Sequence, residues 1–336
     1  MKRKGNLYPA IYDFDNIVSA YKEVCRNTKN KRKVYTFKQY ECVYVSRIRN
    51  ILENKAYVPG PCNVFTIYEP KKRRIVSQNM LDKVVNHLVS RYILYPALLP
   101  HLLDVNVASR PGLGTSEGIR LSNEFHRKCK TKYDSYYILK CDISGFFASI
   151  DHNILKSKLK RQIKDKDALK IVFDIIDAEN KGLSIGAMTS QVLAIFYLSD
   201  LDHFIKEQLK IKYYVRYQDD FLLFHPSKQY LKYCLNEIRN FLYKEKLYLN
   251  KKTRLYKNTN NFIFLGRKKD GNYDTYEKKY TYDIGNRLIS ETENNLRTNY
   301  FYNTDGTLSR IENNSFTIRY IHKNGRLKEM KCNQIN

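Results

Sequence analysis

Residues 213–224 read YYVRYQDDFLLF, and the rest of the chain is best read outward from the adjacent carboxylates Asp219 and Asp220. An aspartate pair between two apolar, aromatic-rich runs reads as the tip of a β-hairpin inside a core. Ionised carboxylates side by side in such a place repel each other and lose hydration unless cations sit between them. Hard oxygen ligands at a strand turn suit Mg²⁺, and two such ions about 3.5–4 Å apart are the usual device for in-line phosphoryl transfer. Taken alone, the pair fits a surface hairpin with Asp at its turn equally well. Its weight comes from the residues around it.

Lys and Arg total 60 against 34 Asp and Glu in 336 residues, a formal net charge of +26. An excess of that size, spread along the whole length, destabilises the free protein by self-repulsion unless a polyanion neutralises part of it. Nucleic acid is the first candidate. A membrane is not expected, because the longest apolar stretch, 183–201, is broken by Ser184, Thr189, Ser190, Gln191 and Asp200 and reads as a buried helix. The opening MKRKGNLYPA has no apolar core segment, so no secretory signal is expected. Seven scattered cysteines without a C-x-x-C pair argue against zinc or disulfides, and a cytoplasmic location follows. Of the 29 tyrosines, some suit base stacking and most suit packing.

Along the chain, IYDFDNIVSAYKEV (11–24) and residues 36–55 carry helical periodicity. VFTIYEPKKRRIVS (64–77) reads as a basic β-hairpin turning at Pro70, Lys71 and Lys72. Residues 79–103 return to helical spacing, and SRPGLGTSEG (109–118) is a loop that starts a helix. SYYILKCDISGFFASID (135–151) is a strand ending at Asp142, an aromatic turn and a helix from about Asp151. A long helix is expected over 183–210, the hairpin over 211–224 and an amphipathic helix over 228–246. NFIFLG (261–266) should pair as a short strand with what precedes it. These elements describe an α+β unit with helices on one face of an antiparallel sheet. After Gly266, turn signals at Asp270 and Gly271, Asp305 and Gly306, and Asn324 and Gly325 favour β-hairpins, with ENNLRTNYFYN (293–303) as the one helical candidate.

Taken together, these residues resemble the reverse transcriptases (RNA-directed DNA polymerases) of bacteria over roughly residues 1–266. YQDD (217–220) looks like the family's Y-x-D-D box, and Asp142 looks like the first metal-binding aspartate, 77 residues upstream of Asp219. The resemblance implies two Mg²⁺ ions, with Mn²⁺ as a substitute, held by Asp142, Asp219, Asp220 and the Ile143 carbonyl. Lys71 and Arg73 match cations that grip the incoming triphosphate, Arg offering a bidentate fork to phosphate. Phe147 matches the steric gate against a 2′-hydroxyl, Phe146 being core. Ile185, Gly186 and Gln191 match the nucleotide segment, where a glycine lets backbone approach substrate and a helix N-terminus follows. Lys252, with Lys251 as its rival, matches a proton donor to pyrophosphate. Arg110, Gly112, Tyr217, Gln218 and the primer-grip turn Phe264, Leu265 and Gly266 would face template and primer.

On that resemblance the fold is an α+β right-hand polymerase fold, with fingers and palm and a reduced or divergent, β-rich C-terminal thumb or appendage. Residues 1–135 would be N-terminal extension and fingers. Residues 136–266 would be palm, with 184–200 as its nucleotide and template segment, and 267–336 the appendage. The substrates implied are template RNA (a specific non-coding or repeat RNA) and dNTPs, with a DNA product; an accessory protein and an oligomer are left open. Ile185 stands where many relatives carry Gln. The I-G-x-x-x-S-Q form and LDHF (201–204) are similar to the enzymes of diversity-generating retroelements, whose nucleotide selection is loose. The tail lacks that family's three-helix thumb, which keeps a phage-defence reverse transcriptase copying a fixed RNA as the alternative, then a retron enzyme. Untemplated transferase activity and a non-catalytic RNA-binding protein of polymerase-like shape are the remaining readings.

Overall fold

A computed structural model of the chain places YYVRYQDDFLLF on two neighbouring antiparallel strands joined by a two-residue turn. The structure describes residues 3–68, 73–260, 262–265, 267–269, 278–282, 288–293, 296–323 and 326–334. The chain divides into two units, Met1–Asn258 and Thr259–Asn336.

The first unit opens with α1 (Phe14–Asn27), α2 (Lys31–Gln39) and α3 (Glu41–Glu53). A two-stranded sheet follows, β1 (Asn63–Ile67) against β2 (Arg73–Ser77). Next come α4 (Met80–Val89), a π-helical turn at Ser90–Leu94, the short α5 (Tyr95–Leu98) and α6 (Thr115–Lys132). Then follow β3 (Tyr137–Asp142), α7 (Phe146–Ser149), α8 (His152–Gln162), α9 (Lys166–Asp177), α10 (Met188–Tyr197) and α11 (Ser199–His203). The hairpin of β4 (Tyr213–Tyr217) and β5 (Asp220–His225), α12 (Lys228–Lys244) and β6 (Arg254–Lys257) close the unit. Helix starts follow local chemistry. Asp13, Asn30, Asn79, Asp151, Asp165 and Ser227 each accept a backbone N–H from the first turn they precede, worth about 1 kcal/mol per cap.

The central sheet runs β4-β5-β3-β6, antiparallel throughout. Because side chains alternate across a strand, Leu139, Cys141, Phe221 and Leu223 share one face, and they join the main core with Leu231, Cys234 and Ile238 of α12. Asp142 and Asp220 lie on the other face with Ile138 and Phe224. At the strand end remote from the aspartates, α6 covers that second face: Phe125 meets Tyr213 and Phe224 at ring distances of 5.5 and 6.0 Å, and His126 meets Phe224 at 5.0 Å. The sheet is therefore helix-backed on both faces, not one as the sequence led us to expect. The aspartate corner is left partly exposed.

Other expectations also need correction. The helix expected over 36–55 is two, broken at Tyr40, whose φ and ψ are −114° and 33°. The helix expected over 183–210 begins only at Met188, because Gly186 holds φ at +123°. It then breaks again at Leu198 and ends in a π-helical turn at Phe204–Gln208. β6 was not foreseen; it pairs with β3 from Tyr137↔Lys257 to Lys140↔Arg254.

In the second unit, β7 (Phe262–Phe264) pairs with β8 (Arg267–Lys269), which follows it, rather than with a preceding segment. A six-stranded antiparallel meander then runs in chain order through β9 (Lys278–Tyr282), β10 (Leu288–Glu293), β11 (Leu296–Tyr302), β12 (Leu308–Glu312), β13 (Phe316–Lys323) and β14 (Arg326–Gln334). The helical candidate at 293–303 is thus mostly strand, as its Thr, Tyr and Phe content favours once partners flank it. The turn at Asp305 and Gly306 joins β11 to β12, with Gly306 at φ +83°. The turns read at Asp270 and Gly271, and at Asn324 and Gly325, lie outside the described residues.

Candidate active site

Strand register brings the acidic residues to one corner. Asp142 ends β3 directly opposite Asp220 at the start of β5, and the Ile143 N–H donates to the Asp219 carbonyl at 3.2 Å. The corner is fixed from a third direction. The Asn250 N–H donates to the Asp142 carbonyl at 2.7 Å, the Ser144 N–H to the Tyr248 carbonyl at 2.8 Å, and the Asp142 N–H to Thr253 Oγ1 at 3.4 Å. The turn carrying Lys251 and Lys252 is thereby tied to β3. Both lysines are exposed, and the Lys252 N–H donates to Asn250 Oδ1 at 3.0 Å.

Lys140 is a member of this corner that the sequence reading missed. Two residues before Asp142, it shares the aspartate face, and its Nζ donates to both oxygens of Asp220 at 3.0 and 2.9 Å. Both side chains are about four-fifths buried, with relative exposures of 18% and 22%. A lysine in an i, i+2 relation to an aspartate on a strand is the signal that was available. On the opposite face, burial and then Asp220 push the Cys141 thiol well above its usual range, so it is a neutral packing group.

Among the described residues, no three His, Cys, Asp or Glu side chains form a converged metal cluster. The corner offers hard oxygens only: Asp142 and Asp220 facing each other, with Asp219 beside them on the turn. Two carboxylates held opposite one another with a lysine balancing one of them is a donor set that suits Mg²⁺ and not a softer ion.

The turn that carries Asp219 has a twist of its own. Gln218 takes φ +55° and Asp219 does not, the pattern of a type II′ hairpin, in which glycine ordinarily fills the first central position. Two hydrogen bonds and the strand pair that flanks it hold Gln218 there. Its carbonyl accepts from Arg216 Nη1 at 2.9 Å, its Nε2 donates to Ser109 Oγ at 2.6 Å, and Tyr217 pairs with Asp220 beside it. Arg216 is wholly buried on the core face. It pairs with Asp202 of α11 through Nε at 2.7 Å and through Nη2, and Nη2 also reaches the Ile195 carbonyl. Burial alone would lower the Arg216 guanidinium, and Asp202 more than offsets that, keeping it charged.

Phe146 is buried, whereas Phe147 beside it is half-exposed, the rings meeting edge to face at 5.7 Å and 71°. The Phe147 carbonyl accepts from the Leu183 N–H at 2.7 Å. Gly182 makes that approach feasible: at φ +69°, a Cβ there would lie 2.5 Å from the Phe147 oxygen. The segment from Ile185 meets the basic hairpin backbone to backbone, the Val76 N–H donating to the Ile185 carbonyl at 3.1 Å. A Cβ on Gly186 would sit 2.9 Å from the Val76 oxygen, so glycine is required here. Ile185 is 36% exposed, and Gln191 is exposed on the first turns of α10, a helix with no side-chain N-cap.

Not every expected residue faces the corner. The Arg110 guanidinium turns into its own loop, donating to the Leu103 and Asn106 carbonyls at 2.9 and 3.1 Å. Gly112 holds φ +75° with open space around it. Lys71 lies outside the described residues, and Arg73 opens β2. Phe264 is buried and Leu265 takes φ +53°, both in the second unit; Gly266 lies outside the described residues.

Residues 66–268 match the family described as reverse transcriptase (RNA-dependent DNA polymerase). Two curated relatives, the group II intron-encoded protein LtrA of Lactococcus lactis subsp. cremoris and its counterpart from strain MG1363, are each 27% identical over 186 residues. That alignment takes in 50% of this chain and 29% of each relative, so the chain spans under a third of their length. The chain belongs to the reverse transcriptase (RNA-dependent DNA polymerase) family, and within it is similar to the group II intron-encoded proteins of bacteria.

Proposed function

We propose that this chain is an RNA-directed DNA polymerase that extends a primer on an RNA template, using dNTPs and Mg²⁺ (or Mn²⁺ in its place). The observation that carries the reading is the register pairing of Asp142 with Asp220, with Asp219 beside them on a turn held by Arg216 and Ser109. Asp142, Asp219 and Asp220, with the Ile143 carbonyl, would hold the metal ions. Mg²⁺, when bound, would supply the charge that makes the primer hydroxyl acidic and eases departure of pyrophosphate.

The chain's own residues do the rest. Lys140 balances one carboxylate, which limits the repulsion between Asp142 and Asp220 across the strand pair. Phe147, half-exposed over a buried Phe146, would crowd a 2′-hydroxyl. Ile185, Gly186 and Gln191 would line the base pair, and Lys71 and Arg73 the triphosphate. Lys252, on the turn tied to Asp142, would pass a proton to pyrophosphate. Gly112, Tyr217 and Gln218, with Arg110 bracing its loop, would follow the template and primer, and Phe264, Leu265 and Gly266 would form the primer grip. In this reading 1–135 are fingers with an N-terminal extension, 136–266 palm, and 267–336 a β-rich thumb or appendage.

For biological role, the exposed alkyl side chain of Ile185, where an amide would check the base pair, favours low-fidelity copying in a diversity-generating retroelement. The β-meander of the second unit favours the alternative, a defence enzyme copying one fixed RNA. Sequencing the DNA made in cells carrying the gene with its native flanks, against Asp219→Ala as the blank, separates them. Errors concentrated opposite template adenines of a nearby repeat would establish the retroelement. Faithful copies of one non-coding RNA would establish defence. The absence of any DNA dependent on Asp219 would remove both.

A further inference from the structure

β4 is an edge strand of the central sheet, and its outer edge is covered by residues 105–107. The Arg216 N–H donates to the Val105 carbonyl at 2.8 Å, and the Val107 N–H to the Arg216 carbonyl at 3.1 Å. Two residues on, Ser109 takes φ +50°. A serine in the left-handed region is disfavoured by its Cβ, and so is Gln218 at φ +55°. These two disfavoured residues are bonded to each other, Gln218 Nε2 to Ser109 Oγ at 2.6 Å. The same hydroxyl reaches Gln191 Oε1 at 3.4 Å, and Gln218 Oε1 is buried with no hydrogen-bond partner among the described residues.

Glycine at either position would relieve the backbone, yet both positions carry side chains that need each other. Strain of this kind persists where the surrounding structure over-determines it. We infer that Ser109 is a positioning residue for polymerisation: it pins the Gln218 side chain, sets the turn that carries Asp219, and links that turn to Gln191 on α10. The inference rests on the polymerase reading for its consequence in rate, but not for its consequence in geometry. Ser109 touches no reacting atom; it acts through Gln218.

The test uses the full chain and the variants Ser109→Gly, Gln218→Gly and the double variant. Glycine removes the hydroxyl or the amide while relaxing the backbone, so no variant is expected to lose thermal stability. Positioning predicts that Ser109→Gly lowers kcat for RNA-templated extension about tenfold, the effect of one hydrogen bond. KM for dNTP should change less than about twofold, because the bond aligns rather than binds. Gln218→Gly should do the same, and the double variant should be no worse than either single one. Hydrogen exchange of the peptide spanning 214–220 should quicken in Ser109→Gly, a readout independent of activity. Wild-type kcat in Ser109→Gly, fully multiplicative losses in the double variant, or unchanged exchange at 214–220 would each overturn the inference. A wild-type protein that makes no DNA would instead overturn the polymerase reading, and the exchange measurement would still decide the role of Ser109.

Discussion

Replacing Asp202 with Asn tests how the hairpin of β4 and β5 is anchored. The Asp202 carboxylate and the Arg216 guanidinium are both fully buried, and the carboxylate accepts from Arg216 Nε, Arg216 Nη2 and the Tyr214 hydroxyl, the last at 2.7 Å. Asn keeps the shape but loses the charge, and its amide must turn an N–H toward a donor. The guanidinium is then left buried without a counter-ion. Breaking one side of such a pair costs about 3–5 kcal/mol, some two to three and a half powers of ten in the folding equilibrium. Against an ordinary stability of about 5–15 kcal/mol this is a large fraction. Urea unfolding followed by far-ultraviolet circular dichroism reads it directly. Removing both charges together, Asp202→Leu with Arg216→Met, should recover part of the loss, because apolar replacement of a buried pair is often neutral while the Tyr214 hydroxyl and the Ile195 and Gln218 carbonyls lose these partners. A loss below about 1 kcal/mol in Asp202→Asn, or no recovery in the double variant, would refute the reasoning.

Asp165 caps α9 and also accepts from the Leu7 and Tyr8 N–H groups at 2.7 and 3.0 Å, tying the N-terminus to the helix. Burial alone would raise its carboxyl; the backbone N–H donors outweigh that and hold it below the usual range. Asp165→Ala should cost about 2 kcal/mol at neutral pH. Since the folded value is the lower one, the contribution is present above the unfolded carboxylate value, about 3.9, and fades as pH falls through the folded value. Stability curves of the two proteins that stay parallel down to pH 3 would contradict this. Phe147→Ala should raise rNTP incorporation relative to dNTP by about tenfold or more in primer extension, the scale of discrimination that one apolar group supplies in a selective pocket; an unchanged ratio would place the gate elsewhere. Ile185→Gln should lower misincorporation opposite adenine, and the same error spectrum in both proteins would dismiss the amide argument.

The hairpin, β3, α1 and α12 were legible in the sequence because each carries its own period and its own punctuation: Asp13 before α1, Ser227 before α12, and two aspartates between apolar runs. That Asp142 would meet the turn of Asp219 and Asp220 was legible through motif and order. Lys140 was hidden by standing in an apolar strand, where a single polar residue looks like an outward-facing one; the residue opposite two positions on gives it meaning. Asp202 was read as part of LDHF, and nothing local marks it as the partner of Arg216, 14 residues away and on another element. Ser109 looked like loop. It follows the segment 105–107 that covers the edge of β4, and only the fold brings its hydroxyl to Gln218. β6, the four residues RLYK, is too short to show alternation and is a strand only because β3 offers it an edge. The 293–303 stretch carries residues that suit either state until neighbouring strands decide.

The most direct test of the central claim is primer extension by the purified full chain on two RNA templates of different sequence, with Mg²⁺ and all four dNTPs. An RNA-directed polymerase makes DNA whose sequence follows whichever template is supplied, and none from Asp142→Ala or Asp219→Ala proteins that keep their fold. Product with the same sequence on both templates, or synthesis surviving in either folded aspartate variant, would contradict it.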